Sequence, residues 1–371
     1  MPLLVHLSDM NPSASFVDQP RSVREGEQLD AARLLSYLHE RMPDVGSQIE
    51  IEQFPSGFSN LTYLLRIDDK QYVLRRPPFG AKIKTAHDMG REFHILSALY
   101  PIYKKVPRPV LYCDDEQILG APFYLMERVN GVILRAQPPA GFSMSPEIAH
   151  QLSRSFIETL VEIHAIDHQT AGLGQLGRPE GYVTRQIEGW TRRYYNARTD
   201  HVPEIEALAS WLATHTPRDS GSALIHNDYK YDNAVLATDD LTRIVAVLDW
   251  EMATVGDPLM DFGTSLAYWV DADDLEEWKR LGFGLTAAPG SLSRSEVVEY
   301  YARRRGRDVE NVVFYFAYGL LKVAGIVQQI YNRYKKGFTR DPRFSDLGRL
   351  VRACGVLANR AIEKQRIDKL G

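Results

Sequence analysis

Several things are scarce in this sequence. Two cysteines, Cys113 and Cys354, among 371 residues exclude a disulfide framework and a cysteine-based zinc site. Neither sign of charge is in excess. The 44 Lys and Arg stand against 48 Asp and Glu, a formal net charge of −4, so no electrostatic case exists for gripping nucleic acid along the chain. Internal repeats and low-complexity tracts are absent, and Met1 to Met10 carry no basic stretch followed by an apolar one, so no signal peptide is read. Only one apolar run is long, Val312 to Val327, and Lys322 interrupts it. A mid-span lysine is costly in lipid, so a buried bundle helix is expected there. With 44% hydrophobic and 25% charged residues, the expectation is a soluble cytoplasmic protein without a membrane partner. At about 150 residues per domain, the length suits two or three compact units.

What is present sorts along the chain. Residues 1–25 show no steady periodicity and read as an irregular arm. Leu29 to Leu38 has the spacing of a short helix. Ile49 to Glu52, Leu61 to Ile67 and Gln71 to Leu74 alternate as strands, with Asp68-Asp69-Lys70 as a hairpin turn. Met89, Phe93, Leu96 and Tyr100 place one apolar face on a helix over His87 to Tyr100, closed by Pro101. Two further strands are expected at Val110 to Tyr112 and Pro122 to Arg128, before Asn130-Gly131 breaks the chain. Beyond Pro146 the pattern is mainly helical, at Pro146 to Ile166, Tyr182 to Arg198, Pro203 to His215, Pro258 to Val270, Ser295 to Arg305, Val309 to Tyr334 and Ser345 to Gln365. Three short apolar runs, Ala223 to Ile225, Ala234 to Leu236 and Ile244 to Leu248, lie among these helices. The expected division is a sheet-based unit over 26–130 and a larger helical one over 131–371.

The densest chemical signal is His226-Asn227-Asp228-Tyr229-Lys230-Tyr231-Asp232-Asn233, followed by Leu248-Asp249-Trp250-Glu251. Phosphoryl transfer from a nucleotide needs a carboxylate beside the attacking hydroxyl and further oxygen ligands for Mg²⁺ on the phosphates. Asp228, Asn233 and Asp249 supply such a set from adjacent strand–loop junctions. As plain sequence, the same residues are turn formers. Phe54-Pro55-Ser56-Gly57-Phe58-Ser59-Asn60, between two strands, could offer backbone N–H groups to phosphates, as Ser56, Gly57, Ser59 and Asn60 suit a nucleotide cradle. His164, among helical apolar neighbours, reads as a core histidine.

This set resembles the aminoglycoside phosphotransferase and choline kinase family, whose pattern is H-G-D-x-x-x-x-N followed by a hydrophobic strand and D-W-E. The resemblance implies an α+β, two-lobed protein-kinase-like fold, with an antiparallel sheet and one main helix in the N-terminal lobe and a larger helical C-terminal lobe. It implies an ATP- and Mg²⁺-dependent kinase in which Asp228 is the catalytic base and Asn233 and Asp249 are the metal ligands. Arg75 stands where the family carries its phosphate-binding Lys, with Glu92 as its ion-pair partner. Leu125 to Gly131 matches the hinge, with Glu127 and Val129 at the adenine edge. Gly256-Asp257-Pro258-Leu259-Met260-Asp261 is similar to the segment whose aspartates brace the catalytic loop. Two departures are Asn227 for Gly and Arg75 for Lys. Asn tolerates left-handed geometry, and a guanidinium can bridge a phosphate and a carboxylate.

Tyr182 to Gln186, Trp190 and Arg75 look like the branch fused to acyl-CoA dehydrogenases, which implies a hydroxyacyl-CoA or similar small-molecule hydroxyl acceptor. An aminoglycoside or aminoalcohol acceptor stays open. A polycation would want carboxylates, and Asp271, Asp273, Asp274, Glu276 and Glu277 form an acidic run. Arg185, Arg192, Arg193, Arg198 and Arg303, Arg304, Arg305, Arg307 would suit an acceptor carrying phosphates. A nucleotide-binding module without transfer activity is the alternative of another class.

Overall fold

A computed structural model describes residues 16–55, 60–79, 88–135, 142–281, 285–339 and 341–371. The chain divides into two compact units. The first gathers residues 1–133, 235–240 and 244–251, and the second gathers 134–234, 241–243 and 252–371. A single cut near residue 130 does not describe this division, because two later pieces, one of them carrying Asp249, return to the first unit.

In the first unit a five-stranded sheet has the order β1-β2-β3-β5-β4, with β1 at Ile49–Gln53, β2 at Leu61–Ile67, β3 at Lys70–Arg76, β4 at Pro109–Cys113 and β5 at Phe123–Glu127. All neighbours are antiparallel. The β2–β3 register pairs Tyr63 with Leu74 and Leu65 with Tyr72, and β3 pairs Leu74 with Leu125. Side chains alternate across a strand, so Tyr63, Leu65, Ile67, Tyr72, Leu74, Phe123 and Leu125 share one face. There they form a core with Leu34 and Leu38 of α1 (Ala31–Arg41). Asp68 turns the hairpin at φ 51°, as the Asp-Asp-Lys sequence led one to expect. The described end of the expected arm is tied down, since Arg21 exchanges two 2.8 Å backbone bonds with Gln53. A further short helix, α3 (Glu116–Leu119), follows β4, capped by Asp115 and closed by left-handed Gly120.

The opposite face, where Val73, Arg75 and Tyr124 point, is covered by α2 (Met89–Leu99), N-capped by Asp88. Its buried stripe runs through Met89, Glu92, Ile95, Leu96 and Leu99. That differs from the apolar spacing read in sequence, because a carboxylate lies on the buried face. The reason is Arg75, which sits under the first turn of the helix and supplies a charged partner.

The second unit holds α4 (Pro146–Ala165), α5 (Tyr182–Ala197), α6 (Pro203–Thr214), α7 (Pro258–Tyr268), α8 (Glu276–Leu281), α9 (Arg294–Arg305), α10 (Val312–Lys335) and α11 (Leu347–Lys364). Helix starts follow their caps. Ser145 and Pro146 open α4, Asp257 and Pro258 open α7, and a Ser293–Glu296 capping box opens α9. Strand Ala223–Ile225 pairs antiparallel with Thr254–Gly256, a strand too short to show in sequence. Helix α10 is long and apolar enough to cross a membrane by length and composition, yet most of that stretch is buried. It packs against α5, α7 and α11. Its crossing with α7 is made at glycines. A Cβ at Gly263 would collide with the Tyr315 carbonyl, and one at Gly319 with the Gly263 carbonyl.

Two elements of the acidic run serve this architecture. Asp271 and Asp274 are buried and pair with the equally buried Arg294 on α9, while Asp273, Glu276 and Glu277 face solvent.

Because backbone, not a flexible side chain, lies against Gly319, Gly319→Ala must push α7 and α10 apart. The expected loss of unfolding free energy is about 2 kcal/mol or more, the range for overpacking a tight core. Urea unfolding of the full chain measures it, and an unchanged midpoint would show that the crossing has slack.

Candidate functional site

In the first unit, β3 and α2 bring two opposite charges into a dry place. Arg75 Nη1 lies 2.6 Å from Glu92 Oε1, and its Nη2 lies 3.0 Å from Asp249 Oδ1 and 3.6 Å from Glu251 Oε2. Arg75 is 8% exposed and Glu92 1%, so this is a buried pair. Such pairs hold only when the geometry and further hydrogen bonds compensate desolvation. Compensation is present: the Trp250 N–H donates to Glu92 Oε1 at 3.1 Å, Asn60 Nδ2 to Glu251 Oε2 at 2.6 Å, and Arg91 Nη1 to the Glu251 carbonyl at 2.8 Å. Burial works against the Arg75 charge, but Glu92 and Asp249 outweigh it and hold the guanidinium protonated.

Carboxylate oxygens of Glu92, Asp249 and Glu251 lie within 4.8 Å of one another. Glu92 Oε2 is buried, and the buried Tyr124 hydroxyl is its neighbour. Burial raises the Glu92 carboxyl and Arg75 opposes that rise; the carboxylate oxygens of the set are hard donors of the kind that fits Mg²⁺. Asp249 adopts φ 66°, a left-handed conformation uncommon for a residue with a Cβ and frequent at functional sites.

In the second unit, the segment after strand Ala223–Ile225 presents Asp228. Tyr268 on α7 donates its hydroxyl to Asp228 Oδ1 at 2.8 Å, and Lys230 Nζ donates to Oδ2 at 2.8 Å. Asn233 Nδ2 donates to the Asp228 carbonyl at 2.8 Å and to Oδ2 at 3.1 Å. With its amide nitrogen so engaged, Asn233 has its Oδ1 as the oxygen it can turn to a cation. Beside the Asp228 carboxylate, the Tyr268 phenol is pushed well above its usual range, by burial first and the Asp228 charge second, so it keeps the proton that it donates to Asp228.

Behind Asp228 the backbone is clamped. Asp261, on the first turn of α7, accepts the His226 N–H at 2.8 Å and the Asn227 N–H at 2.7 Å. His164 Nε2 lies 3.1 Å from the same carboxylate and its Nδ1 2.8 Å from the Tyr301 hydroxyl, a buried histidine with both nitrogens partnered. Burial pushes the Asp261 carboxyl up, but the His164 hydrogen bond and nearby positive charges hold it below the usual range. Asp257 caps α7 and also accepts the Ser220 hydroxyl at 2.8 Å. Asn227 sits at φ 67°. Its Nδ2 donates to the Met252 carbonyl at 3.1 Å and meets the Tyr182 hydroxyl at 3.2 Å. Its carbonyl and Oδ1 accept from Lys322 Nζ of α10 at 2.5 and 3.1 Å.

Of the residues singled out in sequence, Asn60, Arg75, Glu92 and Asp249 meet in the first unit, and Asp228 and Asn233 meet in the second. Glu127 ends β5, opposite Tyr72, and pairs with Arg108 at 3.1 Å. Val129 lies half-buried in the segment that follows. Ser56, Gly57 and Ser59 lie outside the described residues. In sequence Tyr268 reads as one of several aromatics that could wall a site or simply pack, Glu251 as part of the Leu-Asp-Trp-Glu motif with no role of its own, and Lys322 only as an argument against a membrane span. For Lys322 the signal was visible, a lysine in an apolar helix. For Tyr268 no local signal existed, since only the fold brings it to Asp228.

Lys322 also carries a pH signature. Burial pulls its ammonium from the usual 10.5 down to about 8, with Asp261 and Asp228 opposing and Lys230 and Arg193 assisting. The unfolded chain thus keeps this proton to higher pH than the folded one, and the folded state gains stability as pH climbs between those values. Measured relative to Lys322→Met, wild-type unfolding free energy is expected to rise by about 2 kcal/mol from about pH 8 to about pH 10. Denaturant midpoints of both proteins at the two pH values give the difference. A flat difference would mean that the amine does not titrate in this window.

The phosphotransferase enzyme family model matches residues 50–296. Acyl-CoA dehydrogenase family member 11 of Rattus norvegicus is 35% identical over 315 residues, which are 83% of this chain and 40% of that protein. The Homo sapiens protein of the same name is 34% identical over 341 residues, 88% of this chain and 42% of that one. The chain therefore spans less than half the length of these curated relatives. A crystal structure of a protein from Ralstonia eutropha JMP134 aligns with a TM-score of 0.74 at 28% identity, over 90% of this chain and 99% of its own. Wild-type aminoglycoside 2′-phosphotransferase-IIIa, solved with GDP, shares the fold at a TM-score of 0.60 and 18% identity, over 88% and 98% of the two chains. With a family model covering most of its length and a kinase-like α+β architecture shared with those structures, the chain belongs to the phosphotransferase enzyme family.

Proposed function

We propose that this phosphotransferase moves the γ-phosphoryl group of ATP to a hydroxyl of a small metabolite, with a hydroxyacyl-CoA as the acceptor class. The observation that carries the reading is the Asp228 carboxylate, held by Tyr268, Lys230 and Asn233 at the end of a backbone clamped by Asp261. A general base must be held in a fixed position within reach of the proton it takes. An acceptor hydroxyl donates to Asp228. As its oxygen bonds to the γ-phosphorus, the bond from phosphorus to the bridging oxygen of ADP breaks and the hydroxyl proton ends on Asp228.

In the first unit, Arg75 is the cation proposed to face the phosphates, anchored by Glu92 through one nitrogen and set beside Asp249 and Glu251 by the other. Asp249 there, and Asn233 in the second unit, are the residues that would hold Mg²⁺, as the family resemblance implies. When bound, the ion neutralises charge on the transferring phosphates. Asn60 and the segment before it are the proposed phosphate cradle, and the Glu127 to Val129 segment is the proposed adenine edge.

The hydroxyacyl-CoA class is supported by the acyl-CoA dehydrogenase relatives. A polycationic acceptor draws less support, because Asp271 and Asp274 of the acidic run are consumed by Arg294.

The test is transfer of labelled γ-phosphate from ATP or GTP to hydroxyacyl-CoAs, aminoalcohols and aminoglycosides. Labelled hydroxyacyl-CoA is the expected product, and Asp228→Asn is expected to lower kcat by about 100- to 10,000-fold, the usual worth of a general base. Nucleotide binding without transfer to any acceptor would overturn the reading. Full turnover by folded Asp228→Asn would remove the base assignment.

A further inference from the structure

Helix α10 contains a lysine that nothing about packing requires. From Phe314 to Gly325 the helix is buried at every position, and Lys322 is 1% exposed. A methionine or leucine would fill the same space without the cost of removing an ammonium from water. The ammonium therefore has to be needed by a partner, and its contacts name that partner. Lys322 Nζ donates to the carbonyl and the Oδ1 of Asn227, and no carboxylate forms an ion pair with it among the described residues. The Trp190 ring lies beneath it at 5.8 Å.

Asn227 is the residue at which the loop departs from the family's glycine. At φ 67° its backbone turns sharply, with its N–H on Asp261 of α7 and its carbonyl on Lys322 of α10. The side chain spans to the Met252 carbonyl and to Tyr182 of α5. Glycine would adopt this left-handed turn more readily than a residue with a Cβ, but would supply none of these side-chain bonds. The next residue is Asp228.

We infer that Lys322 and Asn227 are a matched pair of positioning residues, which fix the peptide joining Asn227 to Asp228 so that the Asp228 carboxylate is presented in one orientation. The inference rests on the phosphotransfer reading for its kinetic consequence, and on geometry alone for its structural one. Lys322 touches no reacting group; it acts through the Asn227 carbonyl. Asp261 controls one side of residue 227 and Lys322 the other, so loss of the lysine frees the carbonyl end of the turn while the amide end stays held.

The experiment compares Lys322→Met, Lys322→Gln, Asn227→Gly and Lys322→Met/Asn227→Gly with wild type and Asp228→Asn. Lys322→Met is expected to lower kcat by about tenfold to 100-fold, the scale of a small misplacement of a reacting group, with KM for ATP and acceptor within about threefold of wild type. Lys322→Gln keeps a donor, one atom shorter, and is expected to fall between Lys322→Met and wild type. The double variant is expected to match Lys322→Met within about threefold, because residues acting as a unit are not additive. Hydrogen exchange in peptides covering 224–233 is expected to quicken in Lys322→Met, while α10 and the sheet of the first unit keep their protection.

A folded Lys322→Met with wild-type kcat, or losses that multiply in the double variant, would overturn the inference. If Lys322→Met fails to fold, the same reading falls on Lys322→Gln, and wild-type kcat there overturns it. Exchange needs no turnover. If Asp228→Asn kept full activity, the base assignment would fail, while faster exchange at 224–233 would still support the brace and unchanged exchange would end it.

Discussion

The second unit is organised around one buried carboxylate. Asp261 accepts the N–H groups of His226 and Asn227 and meets the ring of His164. Without it, two backbone donors would sit unpaired in a dry interior, at about 1–3 kcal/mol each. Its position follows from helix α7, which Asp257 and Pro258 start at a defined residue and which α10 crosses through Gly263 and Gly319. The helix start therefore sets where the segment from His226 to Asn233 is held, and the helix crossing keeps that start in place. Tyr268, at the other end of the same helix, reaches the Asp228 carboxylate, so α7 holds the loop's backbone with its first turn and its side chain with its last.

Both units accept local cost near their chemistry. Asn227 and Asp249 occupy left-handed backbone conformations, Lys322 is a buried cation, and Glu92 is a buried anion. Each is matched by specific partners instead of being diluted in solvent: Lys322 and Asp261 at residue 227, Arg75 at Glu92 and Asp249. An arginine at position 75 suits this arrangement. A guanidinium reaches Glu92 with one nitrogen and Asp249 and Glu251 with the other, whereas an ammonium is a single point of charge.

Much of this was legible in the residues. The strands of the first unit and the long helices of the second follow from period and caps, and His226 to Asn233 followed by Asp249 carried the family. Short elements were not legible: α3, α8 and strand Thr254–Gly256 hold too few residues for a period to register. The buried stripe of α2 was displaced because hydrophobic spacing cannot foresee a carboxylate buried against Arg75. The acidic run looked like one surface, yet alternate members turn inward to Arg294, a pairing set by a helix that follows in the chain. Tyr268 reaches Asp228 only through the fold, so no local spacing could have marked it.

The brace at Asp261 is tested most directly by single-turnover phosphoryl transfer in Asp261→Asn, with nucleotide affinity measured in parallel. The substitution keeps size and one acceptor oxygen but sets an NH₂ group against a backbone N–H. The account expects the transfer rate to fall by about tenfold or more with nucleotide affinity unchanged. A folded variant that transfers phosphate at the wild-type rate would contradict it.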